Sequence, residues 1–386
     1  MLTAPFPYYG GKRRWAKLVM PRLGDPADFD RMVYVEPFAG SLALLLANPT
    51  PFRREVVCDK NGMVVNFWRA MQAAPVDVAR WGDYPTFHDD LTARHRWLIY
   101  WGLEHSGRLQ EDADFYCAKA AGWWGWAMSN WIGGEFCNLP KYESQIPRQP
   151  YIGSKGDGHG RGINVNIEPC PQIPWLSATG GRGINAQLSG NKQPYVADRP
   201  GAQGMQVNRV MPSSRPCLPS SGSTPGVQYN ALNSAGQTIG DGSRLLDWFY
   251  RLQQRLARVA VLNRDWQSAL SPTLLMEGYS ARKGVRVILD PPYRTDTGRK
   301  DTLYSDDAHA TEVATASYNW AVGHGDEYGI VYFCLEGDFP VPAGWDSALG
   351  TLAGQSPKGA KTPEIAMFSP GLAPAAGGPQ LALGLT

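Results

Sequence analysis

This chain of 386 residues has little of what marks several protein classes. Its six cysteines are Cys58, Cys117, Cys137, Cys170, Cys217 and Cys334. None forms a Cys-x-x-Cys pair, so neither a zinc site nor a disulfide framework is indicated. The six histidines are scattered too, and no metal is expected. No apolar run is long enough to span a bilayer. Lys12 to Arg14 are not followed by the clean apolar stretch of a signal peptide. A reducing cytoplasm, with no membrane partner, is the simplest expectation. Net charge is only +2, a weak sign of nucleic-acid binding, for which a strongly basic domain is clearer. Hydrophobic residues at 43% and charged residues at 19% are ordinary for a folded protein. This length can bury one large core or two smaller ones.

What is present is a set of strand ends that carry acids. Val285 to Leu289, interrupted by Arg286, reads as a strand and runs into Asp290-Pro291-Pro292-Tyr293. Open α/β sheets place their ligands at the carboxyl ends of strands. The two prolines remove backbone donors and hold the segment stiff and extended. An acceptor, free carbonyls and an aromatic face together suit a planar heterocycle with an exocyclic amine. Val33 to Leu46 reads as a second such strand ending at Glu36, then Pro37-Phe38-Ala39-Gly40, then a helix opening at Ser41. With one glycine it is not the dinucleotide fingerprint. Glu55 to Asp59 is a third strand, ending in an acid about twenty residues after that turn, where Rossmann-like sheets bind ribose hydroxyls. Ala257 to Trp266 reads as a helix end, a strand, and Asp265 beside an aromatic. It suits either a helix cap with a core tryptophan or a contact with an adenine. Near the amino end, Gly10 and Gly11 precede Lys12, Arg13 and Arg14, a pattern able to cradle an anion.

In this order the motifs resemble those of the DNA adenine methylase family, the Dam-like amino-methyltransferases. The resemblance rests on Pro7-Tyr8-Tyr9-Gly10-Gly11-Lys12, Glu36 to Ser41, Asp59-Lys60-Asn61 with Asn66-Phe67-Trp68, Asp265-Trp266 and Asp290 to Tyr293. Trp123 to Gly134, Leu303-Tyr304-Ser305, Tyr328 to Leu335 and Pro363 to Pro370 are similar to segments of phage-borne members. The resemblance implies S-adenosyl-L-methionine as cofactor and DNA, double-stranded, as partner, in a bacterial or phage-infected cell. It implies that Asp290 and the Pro291 carbonyl, with Pro292 and Tyr293, act on an adenine amine. Tyr8, Lys12, Glu36, Pro37, Phe38, Gly40, Ser41, Asp59, Asp265 and Trp266 would then bind the cofactor. Arg13, Arg14, Arg161 and Arg182 are candidates for nucleic-acid contact. Cytosine-N4 methylation, RNA as substrate, and a DNA-binding protein that has lost catalysis remain alternatives. An aspartate rather than a serine at the head of the tetrapeptide favours adenine within the resemblance.

The expected fold is α/β, a Rossmann-like methyltransferase sheet with helices on both faces, interrupted by a target-recognition region. Residues 1–75 and 244–386 form the expected catalytic domain. Residues 76–140 are its helical insert, with helices expected over Phe87–Leu103 and Asp112–Met128. Residues 141–243 turn rich in Gly, Pro, Asn and Gln. Four segments there share a form at a spacing of roughly twenty-two residues, within the range of stacked repeats, and Gly-Arg-Gly-Ile-Asn occurs twice, from Gly160 and from Gly181. Between residues 155 and 215 the basic Lys155, Arg161, Arg182, Lys192, Arg199, Arg209 and Arg215 outnumber Asp157, Glu168 and Asp198. The chain has fourteen tryptophans, many of them between Trp97 and Trp131, suited to core packing or to stacking on bases. Ser243 to Val259 reads as an amphipathic helix with Leu245, Leu246, Phe249, Leu252 and Leu256 on one face and arginines on the other.

Overall fold

The computed structural model describes residues 2–8, 10–84, 88–130, 136–137, 243–276, 284–295, 309–352 and 362–373. The expected repeats, Tyr9, Arg161, Arg182, Leu303-Tyr304-Ser305 and the segment from Trp131 to Gly134 lie outside these residues. The chain divides into two compact units. One is Met1–Ala4, Tyr8–Val65 and Arg255–Thr386; the other is Pro5–Pro7 and Asn66–Gln254.

The first unit is built on a seven-stranded sheet in the order β3-β2-β1-β4-β5-β7-β6. Its strands are β1 (Val33–Glu36), β2 (Arg54–Cys58), β3 (Val259–Leu262), β4 (Val285–Leu289), β5 (Gly329–Leu335), β6 (Asp346–Leu352) and β7 (Thr362–Phe368). The pairs among β1 to β5 are parallel, and β7 runs antiparallel to both β5 and β6. β1, β4 and β5 are buried at every position, as parallel strands covered on two faces must be. β3 alternates buried and exposed at the edge. Successive side chains of a strand point to opposite faces. Accordingly Ile330, Tyr332 and Cys334 of β5 join a cluster with Trp266, Leu275 and Ala321. Phe333, one step out of phase, meets Trp15 edge-on at 5.5 Å. Helical segments thus cover both faces: Trp15 with α1 (Ala16–Val19) on one side, and α8 (Trp266–Ala269), α9 (Pro272–Met276) and α10 (Ala310–His324) on the other. This is the α/β sheet expected of a Rossmann-like methyltransferase. Arg286, which interrupts the apolar pattern of β4, stays in the strand because its Nε donates to the Leu23 carbonyl at 2.6 Å.

The second unit is helical among its described residues. It draws on α3 (Gly62–Ala73), α4 (Pro75–Gly82), α5 (His88–Glu111), α6 (Ala118–Asn130) and α7 (Ser243–Leu256). Phe6 packs against Phe67, Trp68 and Trp124. Glycine is needed on α6 for close approach: a Cβ at Gly122 would lie 2.5 Å from Trp81. Trp68, Trp101, Trp124 and Trp126 are buried, so these tryptophans pack the core rather than face a ligand.

Two boundaries differ from the sequence reading for physical reasons. α5 runs on to Glu111 and α6 begins only at Ala118. The guanidinium of Arg69 takes the carbonyls of Leu109 and Asp112 at 3.0 and 2.9 Å, holding the intervening turn. α2 (Ala43–Ala47) begins two residues after Ser41, because Gly40 and Leu42 both adopt left-handed backbone, with φ of 45° and 53°. On α7 the arginines do not all line the outer face: Arg255 is buried.

Candidate active site

Four strand ends converge at the carboxyl edge of the sheet. β1 and β4 are neighbours, and the strand order runs outward in opposite directions from them. Such a switch point is where open α/β sheets bind ligands. β1 ends in Glu36, which is 5% exposed and accepts the Tyr34 hydroxyl at 2.8 Å. The two are two residues apart on one strand, so they share a face. β2 leads into Asp59, whose carboxylate is held by two backbone amides: Gly40 N–H to Oδ2 and Asn61 N–H to Oδ1, each at 2.8 Å. This clamp fixes the turn after β1. A side chain at Gly40 is excluded twice over, by its positive φ and by the Tyr8 ring, which a Cβ there would approach to 2.7 Å. Asn263, after β3, donates to the Asp59 and Lys60 carbonyls at 2.9 and 3.2 Å.

β4 leads into Asp290. Lys12 reaches it from the amino-terminal segment, Nζ to Oδ1 at 2.7 Å. Lys12 is buried, and its ammonium also contacts the Gly10 carbonyl, Glu364 Oε1 at 3.1 Å and the Tyr293 hydroxyl at 3.4 Å. The glycine-lysine segment therefore turns its lysine inward onto carboxylates, while Arg13 and Arg14 stay exposed. Tyr293 is 6% exposed, and its hydroxyl donates to Glu364. Pro291 is buried and Pro292 half-buried. Glu364, on β7, was not singled out from the sequence. Its signal was there: an acid inside an otherwise apolar strand.

The electrostatics follow from burial and from acids gathered around one lysine. Burial pushes Glu36 up to about 8, with the charges of Asp290 and Asp59 adding to the effect and the Tyr34 hydrogen bond and Lys12 opposing it. Asp59 rises to about 6 through burial, against the two backbone hydrogen bonds. Asp290 rises to about 6 through burial, with Lys12 opposing and Glu364 reinforcing. The Tyr8 phenol is raised well above its ordinary value by burial and by the charges of Asp59 and Asp290. Tyr8, Lys12, Glu36, Gly40, Asp59, Asp290 and Tyr293 are thus gathered at one edge. Ser41 and Pro37 are buried in the adjoining turn. Asp265 and Trp266 take the local roles of a helix start: Asp265 Oδ1 accepts the Gln267 N–H at 3.1 Å, and Trp266 is a core residue stacked against Phe38 at 6.1 Å.

Residues 8–92 match the family model of the D12 class N6 adenine-specific DNA methyltransferases. The match names an enzyme family whose substrate is adenine in DNA, in agreement with the Dam-like resemblance of the motifs. The matched segment contains Tyr8, Lys12, Glu36 to Ser41 and Asp59, and ends before Asp265, Asp290 and the repeats. No curated protein matches the chain significantly. Among the described residues, no helix is long and apolar enough to cross a membrane. Among the same residues, no group of three or more His, Cys, Asp or Glu could hold a metal ion.

Proposed function

We propose that the chain transfers a methyl group from S-adenosyl-L-methionine to the N6 amine of an adenine flipped out of duplex DNA. The observation that supports this most is the meeting of Glu36, Asp59 and Asp290 at the switch point of the sheet, beside a segment with the adenine-methyltransferase match. Buried acids that outnumber the one lysine beside them, Glu36, Asp290 and Glu364 near Lys12 with Asp59 next to Glu36, suit a ligand with positive charge. The cofactor, when bound, supplies a methyl group already activated on a cationic sulfur.

The chain's own residues do the rest. Glu36 and Asp59 present carboxylates to the cofactor's positive and hydroxyl groups, within a wall made by Tyr8, Pro37, Phe38, Gly40 and Ser41. Asp265 and Trp266 border the adenine end. An exocyclic amine of adenine is a poor nucleophile, because its lone pair is delocalised into the ring. Asp290 and the Pro291 carbonyl accept its two hydrogens, drawing the nitrogen toward tetrahedral geometry and freeing the lone pair. Alignment and charge placement account for much of the rate. Pro292 stiffens the segment, and Tyr293 offers its ring to the flipped base. The exposed Arg13 and Arg14 contact phosphate. Residues 76–140 and 141–243, Arg161 and Arg182 among them, read the target. The four free cysteines among the described residues suit a reducing cytoplasm.

The test is a transfer assay with methyl-labelled cofactor on duplex DNA, single-stranded DNA and RNA, followed by digestion and identification of the base. N6-methyladenine from duplex DNA is expected. N4-methylcytosine, or transfer to RNA alone, would replace this reading with one of its alternatives. Replacing residues 145–240 with a short Gly-Ser linker should leave cofactor binding intact and weaken or redirect DNA binding. Unchanged affinity and unchanged methylation sites would remove that region from target reading.

A further inference from the structure

We propose that Glu364 is a positioning residue for the transfer step, holding Lys12 and Tyr293 from β7 so that Asp290 keeps one carboxylate oxygen available to the target amine. The inference rests on the function proposed above. Glu364 is 1% exposed and sits on β7 between two antiparallel neighbours, paired with Leu335 at the end of the β5 ladder and with Gly350 of β6. A buried carboxylate needs partners, and this one has three. Oε2 accepts the Trp15 indole N–H at 2.5 Å. Oε1 accepts the Tyr293 hydroxyl and lies 3.1 Å from the Lys12 ammonium.

The consequence is a division of donors. An ammonium has three hydrogens. Those of Lys12 are shared among the Gly10 carbonyl, Glu364 Oε1, Asp290 Oδ1 and, at 3.4 Å, the Tyr293 hydroxyl. Asp290 is therefore neutralised at one oxygen only. Oδ2 has no partner among the described residues, and the Asp290 side chain is 22% exposed. Without Glu364, Lys12 loses one of the two carboxylates between which its charge is shared. Its pull on Asp290 increases, and Asp290 becomes a weaker acceptor for the amine. The Tyr293 hydroxyl is released by the same change.

The groups that interact with Asp290 are Tyr8 and Lys12 from the amino-terminal segment, Glu36 from β1 and Glu364 from β7, while Tyr293 touches Lys12 and Glu364. Removing the negative charge of Glu364 lowers the pH at which Asp290 ionises, because Glu364 is one of the groups that raise it and Lys12 is left unopposed.

The test is the pH profile of kcat for the full chain and for Glu364→Gln, with KM for S-adenosylmethionine measured alongside. Gln keeps the volume and an acceptor for Trp15. The expected result is kcat lower by about 10–100-fold, the scale of a misplaced reacting group, with the acidic limb moved to lower pH and KM for the cofactor unchanged. A purely structural Glu364 would give lower thermal stability with kcat per folded molecule and acidic limb as in the wild type, and this would overturn the proposal. Where Glu364→Gln does not fold, Glu364→Asp keeps the charge and retracts it by one methylene. It should lower kcat with a smaller shift of the limb, and wild-type kcat there would equally overturn the proposal. Absence of methyl transfer by the wild-type chain on any nucleic acid would overturn the parent function, and the role of Glu364 with it. Wild-type transfer with an unchanged Glu364→Gln profile overturns the role of Glu364 alone.

Discussion

Two buried ion clusters lie in the sheet unit, and they are built on opposite principles. Around Glu55 the charges are matched. Arg255 gives it two hydrogen bonds, at 2.6 and 2.8 Å, and Glu55 also accepts the Phe52 N–H at 3.1 Å. The remaining guanidinium donors reach the carbonyls of Asn48 and Leu45 at 3.0 and 3.1 Å. Both side chains are sealed from solvent. At the carboxyl edge, Lys12 is shared between Asp290 and Glu364, and Glu36 feels the charges of Lys12, Asp290 and Asp59. The first cluster is closed and fastens Arg255 to Glu55 of β2. The second holds more acid than base, and part of Asp290 stays open. An excess of buried negative charge costs stability unless something positive arrives. That difference separates a brace from a site.

Breaking the brace should cost the most. Arg255→Ala leaves Glu55 buried and unpaired, and such a loss typically costs about 3–5 kcal/mol. Denaturant unfolding of the full chain would measure it, and a cost within error of zero would mean that water reaches Glu55. The same change should leave cofactor affinity per folded molecule untouched.

Changes in the site should cost binding more than folding. Asp59→Ala should weaken S-adenosylmethionine binding by about 1.5–3 kcal/mol, the range for a hydrogen bond to a charged group. Because Asp59 also clamps Gly40, part of that loss would come through the turn. Calorimetry giving wild-type affinity in a folded variant would take Asp59 out of the cofactor site.

The pH dependence distinguishes the clusters further. Glu36, Asp59 and Asp290 have folded values of about 8, 6 and 6, above the roughly 4 of an unfolded carboxylate. Their folded values are raised, so in the ligand-free protein their contribution to stability is complete below about pH 4. It is lost as pH climbs through about 6 and then about 8. A cationic ligand prefers the ionised acids, so cofactor affinity should rise over that same interval. S-adenosylhomocysteine, which lacks the sulfonium charge, should gain less. Calorimetry of both ligands at about pH 5.5 and about pH 8.5 checks this, and equal slopes would show that the acids do not sense the sulfonium.

The smallest expected effect is at Tyr293. Tyr293→Phe keeps the ring, and with it the stacking on the base, and loses only the hydroxyl bond to Glu364. Tyr293→Ala would lose the ring as well, and base stacking is worth about 1–3 kcal/mol. A fluorescent adenine analogue at the target position would report retention of the flipped base. Phe and Ala variants that behave alike would mean the ring does not stack.

The strand-end acids were legible because strand, acid and turn are contiguous in sequence. Glu36, Asp59 and Asp290 needed only an apolar run followed by a polar stop. The sheet followed from the same runs, since fully buried strands read as continuous apolar stretches. What pairs with those acids was not legible. Glu364 and Trp15 are 349 residues apart, and Arg255 and Glu55 are 200 apart. No periodicity records such pairings, so Arg255 looked like one more outward-facing arginine. Lys12 looked like an anion ligand, because a basic residue after two glycines carries no local sign of facing inward. The ambiguity at Asp265 was visible in the sequence. Its carboxylate caps α8, accepting the Gln267 N–H.

The most direct test of the account is a single-turnover experiment with Asp290→Ala, folded and pre-loaded with labelled S-adenosylmethionine, mixed with duplex DNA. The account predicts cofactor affinity near that of the wild type and transfer to adenine slower by about 10²–10³-fold, the scale for losing one preorganised electrostatic group. Transfer at the wild-type rate would contradict it, and with it the assignment of this strand end as the place where the methyl group moves.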